Sequence, residues 1–549
     1  MPSTRPRAGA DPHPQRSGRS RPAHHLNASR RYAAVVAAIV AVALALRLWQ
    51  IGGQSFWIDE ISVTSFVRSG HLFTDLRSRG GPAEPPLHFV LVWLALHLPF
   101  GFEAAARVPS AIAGSVEVLA LILVVREATR RRTTAVIAGS LMALAPFAVR
   151  YSQEARYYTT FSALHLLTWW LVLRALRLRT RGAWIAYGLT GAALLLTHPF
   201  APLVLVIQAG VVAAALVRTP TPPERAVLVR GYLLGAVIAI GIALPWFLWG
   251  ALRWIPDARA GKSYALNPPG RIAVDTGPDL VTRSLEWLLG NAEGPTLLVV
   301  ALVVLGLAAP FLARGRERVF ALATLAYVVG FFALLIPLAR VMGTYFAFRR
   351  VELFVAPCLA LTAVGIVAGV GRLRALGVAT ERARAAGVVV CALLLLLSAV
   401  AVVRYYGTQK SNYRALADAV RDAPDDAAVV IGPVDQRWRP LIPQYLRWQG
   451  VPERPITFIV AGEPVPVVEL QTGGVLWLTG SPPRMAALDT EAFNDLDRMQ
   501  VIAGDRSVTQ AILPWFGSWS EPRSQEELDR QRDRVARLLP FMAAGDRGE

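Results

Sequence analysis

What most constrains this chain is a series of apolar runs, most of them about seventeen to twenty residues long, separated by short arginine-rich loops. A helix of that length crosses the ~30 Å hydrocarbon core of a bilayer. Such runs fall at about 32–50, 105–125, 134–150, 160–176, 183–197, 200–217, 231–250, 295–313, 319–338, 351–370 and 386–403. A soluble protein carries about 25% charged residues; this chain has 17%, with 54% hydrophobic. The formal charge of +19 would suggest nucleic acid in a soluble protein. Here the arginines sit between apolar runs, so they report topology and no nucleic-acid partner is expected.

The loops test the partition. Arg126 to Arg132, Arg174 to Arg181, Arg218 to Arg230, Arg314 to Arg318 and Arg372 to Arg384 all fall on the side of the Arg-rich N-terminus. By the positive-inside rule that side is cytoplasmic, and eleven crossings put the C-terminal segment outside. The run Pro85 to Phe100 is apolar but short, and counting it as a crossing would break the alternation. It reads as a helix in the outer interface or re-entering it, within one long external loop, 51–104. Arginine used almost to the exclusion of lysine, with abundant alanine, fits a GC-rich bacterial genome.

The expected fold is mainly α, a polytopic membrane protein of the cytoplasmic (plasma) membrane with about eleven spans and a small C-terminal extracytoplasmic α/β domain. Residues 1–31, polar and Arg/Pro-rich, read as a disordered cytoplasmic tail, 32–403 as the membrane domain and 404–549 as the external domain. In that last part helical pattern at 412–421 and 441–449 alternates with β-like runs at 427–431, 456–460 and 474–480, and a surface helix is expected at 524–539. Cys358 and Cys391 both fall in spans, which argues against a disulfide framework.

Two carboxylates, Asp59 and Glu60, follow the first span on the outer face. Such a group can take a proton from a hydroxyl or hold a divalent cation, Mg or Mn, with Asp59 its ligand. Equally, the pair can cap a helix from Ile61 to Arg68 through its dipole. On the same face lies Tyr151-Ser152-Gln153-Glu154-Ala155-Arg156-Tyr157-Tyr158. Tyr151, Gln153, Glu154, Arg156 and Tyr157 suit a charged headgroup; the plainer reading is an interfacial tyrosine belt with one ion pair. Glu84, in a Gly- and Pro-bent loop, either joins the polar site or is solvated. Arg349 and Arg350 lie outside, against the charge bias, and suit a phosphate or lipid headgroups. Glu117, mid-span, calls for a structural partner, Arg47 and Arg107 can snorkel from span ends, and His198 reads as a packed histidine.

Taken together, Trp57-Ile58-Asp59-Glu60, Glu84-Pro85-Pro86-Leu87, Ala106-Arg107-Val108-Pro109-Ser110-Ala111, Ala145-Pro146 and the Tyr151–Tyr158 stretch resemble the GT-C glycosyltransferases. The similarity is to the branch of the protein O-mannosyltransferases and the lipid A aminoarabinose transferases. It is strong over about 40–200 and weaker over 200–400. It implies a membrane enzyme that takes a sugar, hexose or pentose and mannose among them, from a polyprenyl-phosphate donor. The sugar would pass, with inversion, to a glycan, lipid or protein acceptor on the outer face, in cell-envelope synthesis. Asp59 would be the base or metal-linked carboxylate. Where many relatives have His-Pro-Pro or Glu-Lys-Pro, this chain has Glu84-Pro85-Pro86, so the cation facing the donor phosphate falls to Arg349, Arg350 or a metal. The other classes are a polyprenyl-glycan transporter or flippase, which would favour internal symmetry, and a non-catalytic envelope assembly protein.

Overall fold

The computed structural model describes residues 21–68, 71–76, 85–259, 289, 294–342, 352–407, 413–422, 428–434, 439–460, 475–479 and 500–504. A helix stands at each of the eleven expected crossings. They are α1 (Arg21–Leu48), the later α5 (Phe102–Thr129), α6 with α7 (Arg132–Ala143 and Pro146–Ser152), α8 (Tyr158–Leu178), α9 (Arg181–Leu195) and α10 (Ala201–Arg218). After these come α11 (Pro222–Arg259), α12 (Thr296–Leu312), α13 (Gly315–Met342), α14 (Glu352–Ala375) and α15 (Thr380–Gly407). Seven are long and apolar enough to cross a membrane, and α6–α7, bent by 58° at its break, makes an eighth. The protein is thus a multi-pass membrane protein. α1 begins at Arg21, so the helix takes in residues 21–31 of the stretch expected as a tail.

α5 and α8 both end where an arginine, Arg130 at φ 63° and Arg179 at φ 55°, takes the left-handed conformation that stops a helix. Their shared interface is one of the main seams of the bundle. The buried core runs from Val118, Leu121 and Val125 of α5 through Phe147 and Phe161 to Phe354 and Leu359 of α14. The outward faces of α10 and α11 leave Val206, Val217, Val237 and Leu252 exposed, as helices facing lipid should.

Between α1 and α5 lie three short helices, α2 (Ile58–Arg68), α3 (Leu72–Asp75) and α4 (Leu87–Ala95). At nine residues, α4 rises only about 13 Å and cannot cross a bilayer. It buries His88, Phe89 and Val92 and exposes Trp93 and Leu94. The Leu87 N–H donates to the Leu196 carbonyl at 2.9 Å, which ties α4 to the end of α9.

The C-terminal unit contains α16 (Tyr413–Asp422), β1 (Ala428–Val434), α17 (Leu441–Trp448), β2 (Ile456–Val460), β3 (Val475–Thr479) and β4 (Gln500–Gly504). The sheet order is β2-β1-β3-β4. β1 runs parallel to β2 and β3, and β4 closes one edge antiparallel to β3. Both helices and three of the strands stand where the pattern placed them; β4 had no expectation. The helix expected at 524–539 lies outside the described residues. The unit shares a core with α2: Phe56, Ile58 and Ile61 pack in one cluster with Tyr413, Leu416, Ile442 and Tyr445.

Candidate functional site

α2 starts at Ile58, so Asp59 and Glu60 stand in its first turn and do not precede a helix at Ile61. Negative side chains there are favoured by the helix dipole. Beyond that the two part company. Glu60 is fully buried. Its Oε1 accepts from Arg107 Nε at 2.7 Å and from the Ala155 N–H at 2.7 Å. Its Oε2 accepts from Arg107 Nη2 at 2.7 Å and from the Trp57 N–H at 3.2 Å. The last bond is half of a capping box, the third helical residue reaching back to the N-cap amide.

Arg107, on α5, is equally enclosed, with 2% of its side chain accessible. Besides Glu60, it donates to the carbonyls of Ile51 and Gln54 through Nη1 and of Ser55 through Nη2, each at 2.9 Å. All five guanidinium N–H groups are thereby used. A buried ion pair is tolerable only when so fully satisfied. Arg107 therefore does not snorkel. It and Glu60 form a polar pin joining loop 51–57, α2, α5 and the 153–157 turn.

Asp59 faces outward, its side chain 25% accessible, with Arg156 Nη2 at 3.5 Å from Oδ2. Arg156 lies over the rings of Tyr157 and Tyr158, at 4.8 and 5.4 Å from their centroids. It donates to both phenol oxygens at 3.3 Å. Asp59, Arg156 and Tyr157 are thus brought together.

The remaining expected site residues divide. Gln153 is buried; its Nε2 donates to the carbonyls of Arg47 at 3.2 Å and Trp49 at 2.6 Å, and its Oε1 accepts from Tyr405 at 3.0 Å. Its amide thus clamps the end of α1 to α15. Glu154 is buried beside Arg150, with Nε 3.8 Å from Oε1. The Tyr151 ring packs on Phe147 and Tyr158. The contacts of these three lie within the protein. Glu84, Arg349 and Arg350 lie outside the described residues.

Sequence reasoning missed His88. It is fully buried on α4, its Nδ1 3.3 Å from Thr160 Oγ1, with the Tyr157 ring edge-on to it. Burial, helped by the Arg156 cation, pushes its pKa down to about 3, while the Ala155 backbone works the other way. The imidazole is therefore neutral. Its only signal in sequence was a histidine on the inner side of a short apolar helix. Arg47 also departs from expectation: it is fully buried and donates to Ser152 Oγ at 3.1 Å, with no path to the interface. His198 is a packed histidine, stacked on Phe161 at 4.3 Å. Glu117 has its structural partner in the Ser162 hydroxyl, which donates to it.

Of the charges near Asp59, the adjacent carboxylate is bound up with Arg107, and the Arg156 guanidinium lies 3.5 Å from Asp59 Oδ2. Among the described residues no three His, Cys, Asp or Glu side chains cluster as metal ligands.

Residues 83–249 match the family described as dolichyl-phosphate-mannose-protein mannosyltransferase. No curated protein matches the chain. Among solved structures, ArnT from Cupriavidus metallidurans in the apo state superimposes with a TM-score of 0.51 at 16% identity, over 82% of this chain and 94% of that one. The same protein bound to undecaprenyl phosphate gives 0.50 at 16% identity, over 86% and 98%. The oligosaccharyltransferase AglB from Archaeoglobus fulgidus, in complex with an inhibitory peptide and a dolichol-phosphate, gives 0.47 at 12% identity, over 86% and 74%. The family match covers α4 to α10 and most of α11, and the ArnT comparisons show a likeness of fold.

Proposed function

We propose that the chain transfers a sugar from a polyprenyl-phosphate donor to an acceptor hydroxyl at the outer face of the cytoplasmic membrane, with inversion. The observation that carries the reading is the division of labour between adjacent carboxylates. Glu60 has both oxygens taken, by Arg107 and by the Ala155 and Trp57 N–H groups, whereas Asp59 stays accessible beside a cation. Asp59 takes the acceptor's proton. The acceptor oxygen bonds to the anomeric carbon from the face opposite the phosphate. The bond from that carbon to the phosphate oxygen breaks, and the polyprenyl phosphate leaves with the electron pair. General-base help of this kind contributes about 10²–10⁴-fold.

Arg156 meets the leaving phosphate in this reading, which its hold by two phenols next to Asp59 supports. Arg349 and Arg350 remain candidates for the same charge on sequence grounds. The carrier class is supported by the undecaprenyl phosphate held in the ArnT structure, and mannose as the sugar by the family description. The acceptor is a glycan, lipid or protein of the cell envelope.

The test is transfer of label from polyprenyl-phosphate mannose to membrane acceptors by the purified chain in lipid nanodiscs. Label should appear in acceptor with the wild type and not with Asp59→Asn. Full transfer by Asp59→Asn would sink the mechanism. Donor crossing a vesicle membrane with its sugar still attached would favour a flippase instead.

A further inference from the structure

The C-terminal unit reaches the loop that carries Asp59 through a small set of polar contacts that the transfer mechanism does not use. Glu103, in the first turn of α5, has three donors converging on Oε1. These are Arg414 Nη2 at 3.1 Å, the Tyr445 hydroxyl at 3.2 Å and Gln449 Nε2 at 3.1 Å. All three donors belong to the C-terminal unit.

Arg414 also looks the other way. Its Nη1 donates to the Gly53 carbonyl and its Nη2 to the Gly52 carbonyl, each at 3.3 Å. Gly52 and Gly53 open the external loop, and Glu103 stands where it rejoins the bundle. One guanidinium therefore binds both ends of the loop. Around it, Phe56 lies 5.1 Å from Phe102 and 6.3 Å from Tyr445, edge-on to each. The Arg68 guanidinium sits against both Phe102 and Trp448, at 4.5 and 5.3 Å.

A loop whose two ends are tied to each other has less freedom than one tied at its start alone. The Arg107–Glu60 pin holds the start of the loop from the bundle side, through the Ile51, Gln54 and Ser55 carbonyls. We propose that Arg414 is a positioning residue, and that with Glu103 it staples the two ends of the external loop. The C-terminal unit is then a clamp holding α2, and so Asp59, in register with Arg156. That Asp59 is the working carboxylate rests on the proposed function; the clamp itself does not. A planar five-donor fork suits the task, since it can reach a carboxylate and two carbonyls at once. A lysine has no such fork.

The experiment is hydrogen exchange by mass spectrometry on the full chain in lipid nanodiscs, for wild type, Arg414→Ala, Arg414→Lys, Glu103→Gln and Arg447→Ala as control. Arg447 sits on the same helix as Tyr445 but pairs with Glu453 in solvent. Arg414→Ala should raise exchange in peptides covering 50–57 and 101–106 by about three- to tenfold. Glu103→Gln should raise it at 101–106. Arg414→Lys should keep 101–106 protected and release 50–57. Arg447→Ala should change neither.

In the transfer assay, Arg414→Ala should lower turnover with the donor KM unchanged, and Arg414→Lys should restore part of it. Unchanged exchange at 50–57 and 101–106 in both Arg414→Ala and Glu103→Gln overturns the clamp. Raised exchange in a protein whose wild type transfers no sugar upholds the clamp and overturns the reading of Asp59.

Discussion

Glu60→Gln and Asp59→Asn, neighbouring and chemically alike, should give opposite phenotypes. Each Glu60 oxygen accepts two N–H groups, Arg107 Nε and Ala155 on one, Arg107 Nη2 and Trp57 on the other. A glutamine puts an NH₂ group against one of these pairs whichever way its amide turns. Two buried donors then face a donor, at about 1–3 kcal/mol each. The Arg107 guanidinium also loses its counter-charge. Removing one partner of a buried pair costs about 3–5 kcal/mol in all. Asp59 gives up only a 3.5 Å contact with its side chain partly accessible, worth no more than about 1 kcal/mol. The assay is thermal unfolding of the detergent-purified protein, followed by loss of the monodisperse species, beside labelled sugar transfer. Glu60→Gln should unfold well below wild type. Asp59→Asn should unfold with wild type and transfer nothing. A Glu60→Gln protein that melts with wild type would refute the claim that Glu60 is spent on structure.

Four further outcomes follow from the same geometry. A Cβ on Gly114 would collide with Ser152 Oγ and lie 2.8 Å from Arg47 Nε, so Gly114→Ala should cost about 1–3 kcal/mol by overpacking. Gly210→Ala, with nothing within 4 Å of the added carbon, should not lower the unfolding temperature. Tyr405→Phe removes the donor to Gln153 Oε1 and should lower stability by about 1–3 kcal/mol through the stranded acceptor, read by the same melt. His88 is held neutral, its pKa pushed down to about 3 by burial and then by Arg156. The unfolded chain, titrating near 6.5, binds more protons between those limits, so this contribution is full above pH 6.5 and fades as pH falls toward 3. From pH 7 to pH 5 the loss is about 2 kcal/mol. His88→Phe should flatten that part of the stability profile; an unchanged slope would show that His88 is not its source.

The spans were legible because apolar runs of membrane length leave few other folds, and the arginine loops set their register. The short helix α4 was legible for the converse reason, a run too brief to cross. The sheet of the C-terminal unit came through for three strands, while β4, with only Val501 and Ile502 as strong strand formers between Gln500 and Ala503-Gly504, carries too little pattern to stand out. At the site, sequence placed Asp59 and Arg156 on one face, and the two side chains lie 3.5 Å apart; it made Asp59 the base and left the role of Glu60 open. What separates them is the Ala155 N–H, ninety-five residues away. A backbone donor arriving from another element leaves no mark in the sequence around Glu60.

Arg47 shows why the same reasoning failed for the arginines. Near the end of an apolar run, a long cation is expected to reach for the interface. That holds only while the neighbouring helices have no unmet acceptors. Pro146 has no N–H to give the carbonyl four residues back, Met142, and the helix breaks there, with a 58° bend between α6 and α7. In a bilayer such carbonyls must be satisfied from within the protein. Arg47 does this for Ala143, donating to its carbonyl at 3.2 Å; it also reaches the Met142 carbonyl at 3.4 Å, which accepts from the Ala145 N–H as well. The bend swings α7 so that the turn after it delivers Ala155 to Glu60 and Arg156 to Asp59. The proline and the first-span arginine are two halves of one device, about a hundred residues apart, and an arginine in a span beside a proline-broken neighbour is better read as a cap for the break than as a snorkel.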